Sequence, residues 1–157
     1  MEKYKQLLDA LFVAESDAPI SNSSPEHAAV LLAAIFHYSH NKVKVFCGNL
    51  RKDVFGKKEL ISEIRCAAFR GVKIHFILEH PSETQEICEL VKQFPNLIKM
   101  ETLSENYHVS HFTVGDSKSF RFEECHDEAK ALGCANRPDI ASLLEQTFDM
   151  LATRCSA

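Results

Sequence analysis

The segments KVKVFC at residues 42–47 and VKIHFIL at residues 72–78 decide the fold of this chain. β-branched and aromatic residues dominate both segments, which is typical of buried strands. Between them, apolar residues recur at helical spacing over residues 57–70, and Gly71 follows at the position that often ends a helix. The pattern predicts a β-α-β unit with two parallel strands.

Further elements are predicted on both sides of this unit. Ser24 precedes Pro25 as an N-cap precedes the first helical residue, so a helix begins there and runs to about residue 39. Ser82 with Gln85 forms a capping-box pattern at the start of another helix, which ends before Pro95. Periodicity predicts the remaining helices at residues 2–13 and after residues 136–138, and strands at residues 97–103, 109–114 and 119–123.

Helices that alternate with strands predict an α/β fold with a mixed, mostly parallel sheet and helices on both faces. The turn at residues 115–118 has the length of a hairpin connection and makes the sheet mixed. A chain of 157 residues is the usual size of one domain. We therefore expect a single domain over residues 1–157, with a helix and linker at residues 1–24 packed on it.

Composition limits the compartment and the partners. The longest apolar stretch, residues 28–36, is about half of the ~20 residues that a membrane span requires, and no basic-then-apolar leader opens the chain. The six cysteines form no CxxC pair. We expect a cytoplasmic protein with reduced thiols and with no cofactor and no membrane span. The net charge of −4 disfavours binding of nucleic acid over a broad surface.

Two weaker patterns leave alternatives open. Cys125, His126 and Cys134 offer three potential metal ligands, but structural zinc sites usually have four, so we expect no metal. The charged stretch at residues 51–59 mixes signs and is interpreted as a solvated surface, with a basic patch for RNA or DNA as the alternative.

The stretch HFTVGD at residues 111–116 carries the clearest functional signal. It resembles the second half of the His-x-Lys-x-x-x-x-Asp motif of the phospholipase D-like family. The order of predicted elements over residues 42–152 resembles that domain, and ANRP at residues 135–138 is similar to the Asn-containing stretch before its last helix. The resemblance implies one half of a phospholipase D-type fold.

The resemblance also implies roles for individual residues. In that family the motif His is the nucleophile, the Lys holds the phosphate oxygens, and two motifs face each other to build one site. Here Asp116 matches the motif Asp, His111 occupies the position of the Lys, and Val109 occupies that of the nucleophile. Glu123 and Glu124 replace the Gly-Ser pair that many members have near the phosphate. Because valine has no atom that attacks phosphorus, we expect a pseudoenzyme.

The same comparison predicts which side chains line any remaining pocket. His111 and Asp116 are the first candidates. Arg121 lies two residues before Glu123 on the same strand face and is a candidate anion contact. Asn136 is a further candidate ligand-binding residue.

A different register makes His108 or His111 the nucleophile, but a regular strand places these two on opposite faces, so this register requires a slip or a bulge. Because one chain carries one motif, we expect a homodimer about a two-fold axis that serves as a binding, sensing or assembly module. Its expected partner is a phosphate-containing ligand, a nucleic acid or another protein. The alternative is an active phosphodiesterase or nuclease that uses His111 or His108 with Asp116 across the dimer.

Overall fold

A computed structural model describes residues 1–125, 127 and 130–155. Its helices are α1 (Glu2–Val13), α2 (Pro25–Tyr38), α3 (Lys52–Phe55), α4 (Lys58–Phe69), α5 (Gln85–Gln93) and α6 (Pro138–Ala152). Its strands are β1 (Ile20–Asn22), β2 (Lys42–Cys47), β3 (Lys73–Leu78), β4 (Ile98–Thr102), β5 (Phe112–Gly115), β6 (Ser119–Cys125) and β7 (Lys130–Cys134).

The strands form one sheet in the order β1-β7-β6-β5-β2-β3-β4. Strands β2, β3 and β4 are parallel, whereas the other four pairings are antiparallel. A mixed sheet with helices on both faces is therefore confirmed, but the prediction that it is mostly parallel is wrong. Strands β1 and β7 account for the difference, because neither was predicted from the sequence.

The two unpredicted strands have weak sequence signals for identifiable reasons. Strand β1 has only three residues, too few to show an alternating pattern. Strand β7 contains Gly133, which depresses strand propensity but is required by packing, because a Cβ there would lie 2.7 Å from the Leu31 Cδ2 atom of α2.

Most local signals lead to the predicted elements. Ser24 caps α2, since its Oγ accepts a hydrogen bond from the His27 N–H at 3.1 Å, and Gly71 after α4 has a φ of +86°. The predicted capping box is wrong: α5 begins after Thr84, and the Ser82 Oγ accepts from the Thr84 N–H at 3.0 Å instead. Strand β5 begins at Phe112, three residues later than predicted.

The pleat of the sheet divides the core into two clusters. Helices α1, α2, α4 and α5 cover one face, where Val43 and Val45 of β2 are buried. Helix α6 covers part of the other face, where its Phe148 packs in one cluster with Phe46 and Phe112. None of the described helices is long and apolar enough to cross a membrane. All six cysteines are free thiols.

Candidate functional site

A small cleft lies at the edge of the sheet where β2 and β3 end. Strand β5 is antiparallel to β2, and β6 is antiparallel to β5, so the start of β5 and the end of β6 reach the same edge. Ligands of open α/β sheets bind outside the carboxyl ends of the parallel strands. This edge is therefore the place where the fold favours a binding site.

His111 lies immediately before β5, with a carboxylate near each of its ring nitrogens. Its Nε2 forms a short hydrogen bond with the Glu79 Oε1, and its Nδ1 is 3.8 Å from the Glu123 Oε2. The Phe46 ring packs edge-on against the imidazole, with ring centroids 5.4 Å apart. The three polar side chains are only 11–16% exposed, so solvent screens their interactions weakly.

Arg121 also lines the cleft and meets the same carboxylate of Glu123. Its Nη1 is 3.5 Å from the Glu123 Oε2, and its Nε donates to the Asn22 Oδ1 at 2.7 Å. Burial lowers the pKa of the guanidinium, and the charge of Glu123 opposes this shift. Tyr4 of α1 is close enough to interact with Arg121, and burial raises the pKa of its phenol to about 12. The predicted anion contact of Arg121 is thus to a carboxylate of its own chain.

A thiol also lines the cleft. The Cys47 thiol is close to the charged groups, but burial raises its pKa to about 12, so it is a neutral thiol near pH 7. The cavity measures about 50 Å³ and has an apolar floor that includes Leu32 and Val54. Small-molecule sites usually measure about 300–1,000 Å³, so this cavity admits little more than water.

Asp116 lies at the opposite end of β5 from His111. Its carboxylate accepts hydrogen bonds from the backbone N–H groups of His40 at 2.7 Å, Asn41 at 2.9 Å and Lys42 at 3.0 Å. The side chain holds the turn between α2 and β2, and the strand length keeps it away from the cleft. Within one chain, Asp116 and His111 therefore do not line the same pocket.

Asn136 is also outside the cleft. It follows β7, its Nδ2 donates to the Glu15 carbonyl oxygen at 3.2 Å, and the Arg137 N–H donates to the Lys118 carbonyl oxygen near the 115–118 turn. Within one chain, Asn136 therefore does not line the cleft with His111.

Three of the residues considered in the sequence, His108, Val109 and Glu124, lie outside the cleft. His108 is exposed, with a φ of +51°, and its N–H donates to the Asn106 Oδ1 at 2.9 Å. Val109 packs against the apolar cluster under α6. The pairing of β6 with β7 shifts register between Glu123 and Cys125, which leaves Glu124 exposed. The bulge thus separates the two glutamates, and only Glu123 faces His111.

Glu79 is the site residue that sequence reasoning missed. A carboxylate directly after the buried strand at residues 73–78 is a signal, because side chains at the carboxyl ends of parallel strands line ligand sites. Of the three residues in the predicted metal-ligand pattern, Cys125 and Cys134 are described and His126 lies outside the described residues. The described part of the chain contains no cluster of three or more side chains able to hold a metal ion.

No protein-family model and no curated protein matches the sequence. Solved structures do match. TrmBL2, an archaeal chromatin protein with a novel mode of DNA binding, has a TM-score of 0.70 and 13% identity, covering 99% of this chain and 60% of its own. NucT from Helicobacter pylori has a TM-score of 0.67 and 13% identity, covering 89% of this chain and 98% of its own.

Nuc from Salmonella typhimurium, a phospholipase D family member, has a TM-score of 0.64 and 14% identity, covering 88% of this chain and 97% of its own. The chain therefore has a phospholipase D-like fold and nearly the length of Nuc and NucT, whereas it spans 60% of TrmBL2.

Proposed function

We propose that this chain is a homodimeric binding or sensing module with a phospholipase D-like fold that does not hydrolyse phosphodiesters. One observation carries the proposal. His111, at the position of the phosphate-holding Lys, is paired with Glu79 and close to Glu123, while Val109, at the position of the nucleophile, packs in an apolar cluster. Neither position provides a free imidazole for covalent catalysis.

Electrostatics support the same proposal. A carboxylate about 4 Å from a phosphate oxygen opposes it by roughly 1–4 kcal/mol at effective dielectric constants of 80 to 20. This repulsion is comparable to the roughly 1.5–3 kcal/mol of one charge-assisted hydrogen bond. Two carboxylates beside His111 and Arg121 therefore cancel the attraction that these cations offer to a phosphodiester.

The homodimer rests on the single motif. In the family that the sequence resembles, two motifs face each other, and one chain supplies only one. A two-fold axis beside the cleft would bring two copies of this edge together. We propose that its ligand contains a phosphate group. A cytoplasmic location stays a prediction from the sequence.

An active nuclease is the second candidate, and the hydrogen bond between His111 and Glu79 favours it, because a carboxylate orients the imidazole in many catalytic sites. The candidates differ in turnover. We expect light scattering to give the mass of a dimer. In the presence of a chelator, we expect this dimer to hydrolyse neither bis(p-nitrophenyl) phosphate nor single-stranded DNA above the rate in buffer alone. Cleavage by the wild type that His111→Ala abolishes, with the dimer intact, would establish the nuclease instead.

A further inference from the structure

The side chains of His111 and Arg121 already meet carboxylates, in the arrangement that an oxyanion ligand would adopt. One oxygen of Glu123 is 3.5 Å from the Arg121 Nη1 and 3.8 Å from the His111 Nδ1, so it lies between these two side chains. Glu79 holds the other ring nitrogen. A phosphate oxygen placed beside His111 and Arg121 would occupy the region that Glu123 fills.

We propose that Glu79 and Glu123 act as internal anions in this cleft, so that a phosphodiester group enters only by displacing a carboxylate. This inference rests on the proposed function, since it concerns how the same site binds its ligand. The cleft would then exclude a phosphodiester until a carboxylate moves away, so it would be neither permanently open nor unable to bind.

The available space favours displacement. The cavity of about 50 Å³ accommodates a water molecule but not a phosphodiester beside the glutamates. Glu79 and Glu123 are at the ends of β3 and β6, and both side chains are partly exposed, at 16% and 11%. Because both side chains reach solvent, we expect either one to be able to rotate away from His111.

The charges favour the same displacement. Two carboxylates, Glu79 and Glu123, lie beside the His111 imidazole and the Arg121 guanidinium, and both oppose a monoanionic ligand. Movement of one carboxylate to solvent weakens this opposition and leaves the region between His111 and Arg121 for an oxygen of the ligand.

The test uses dimethyl phosphate, a monoanion that does not titrate near neutral pH, in calorimetric titrations of the full chain. Glu79→Gln and Glu123→Gln should each bind about tenfold more tightly than the wild type, because each removes one opposing charge.

Glu83→Gln is the matched control, since Glu83 is an exposed carboxylate that accepts from the Asn49 Nδ2 at 2.8 Å on the loop beside the cleft. It should bind like the wild type. His111→Ala should bind more weakly than the wild type, because it removes a side chain beside the expected ligand oxygen, and this keeps the test decisive if a glutamate variant fails to fold. The inference is overturned if neither glutamine variant that folds binds more tightly than the wild type, or if His111→Ala binds as tightly as the wild type. Turnover of a diester would instead overturn the proposed function.

Discussion

Asp116 is expected to stabilise the fold rather than to act at the cleft. Asp116→Gly tests this cleanly, because residue 116 has a φ of +50°, and glycine tolerates this conformation while it removes the carboxylate. Asp116→Asn keeps the backbone preference and one oxygen acceptor. The two variants therefore differ mainly in how many of the three backbone hydrogen bonds survive.

The magnitude follows from those three hydrogen bonds. Each bond to a charged acceptor contributes roughly 1.5–3 kcal/mol, but water replaces part of this where the amides are exposed, so we expect a loss of about 3 kcal/mol for Asp116→Gly. At roughly 2–4 °C per kcal/mol for a domain of this size, Tm falls by about 6–12 °C. Asp116→Asn should lose about half as much, since one acceptor remains.

Thermal melting followed by circular dichroism measures both variants. Glu105→Gln removes an exposed carboxylate elsewhere and should change stability by less than about 0.5 kcal/mol. Dimethyl phosphate binding should be unchanged in Asp116→Asn, because the side chain is at the far end of β5 from His111. The reasoning is refuted if Asp116→Gly melts with the wild type, or if Asp116→Asn abolishes binding without loss of Tm.

Three further predictions concern the rest of the molecule. Lys42, Lys44 and Ser117 donate to Glu145 and lower its pKa from 4.5 to about 2. The lowered pKa contributes about 2 kcal/mol to the free energy of unfolding, after an allowance for partial exposure; this contribution is present above pH 4.5 and is lost as the pH falls toward 2. Glu145→Gln should lose this stability at pH 7, and its stability should depend less on pH during acid unfolding. Gly115→Ala should destabilise by about 1–3 kcal/mol in urea unfolding, since a Cβ would lie 2.5 Å from the Ser39 Oγ; an unchanged midpoint would contradict this. Native mass spectrometry should find all six thiols free, and two or more disulfides would contradict the cytoplasmic prediction.

Local sequence signals predicted the helices and strands whose formation depends mainly on nearby residues of the chain. The strand at residues 42–47 and the helices at 2–13 and 25–38 are found almost as predicted, because hydrophobic periodicity, the Ser24 cap and β-branched residues act within a few residues of the chain. Strand β7 escaped prediction because pairing with β6 and packing on Leu31, rather than its own composition, make it a strand.

The sequence alone determined the α/β class, a strand-turn-strand platform over residues 109–123 and the loss of an imidazole at position 109, because these depend on residue type and local spacing. Only the tertiary structure decided which side chains share the cleft. Glu79 directly follows β3, 32 residues before His111 in the chain, whereas Asp116, five residues after His111, is at the other end of β5. A strand carries each residue about 3.3 Å further along, so neighbours in sequence separate while the ends of adjacent strands meet.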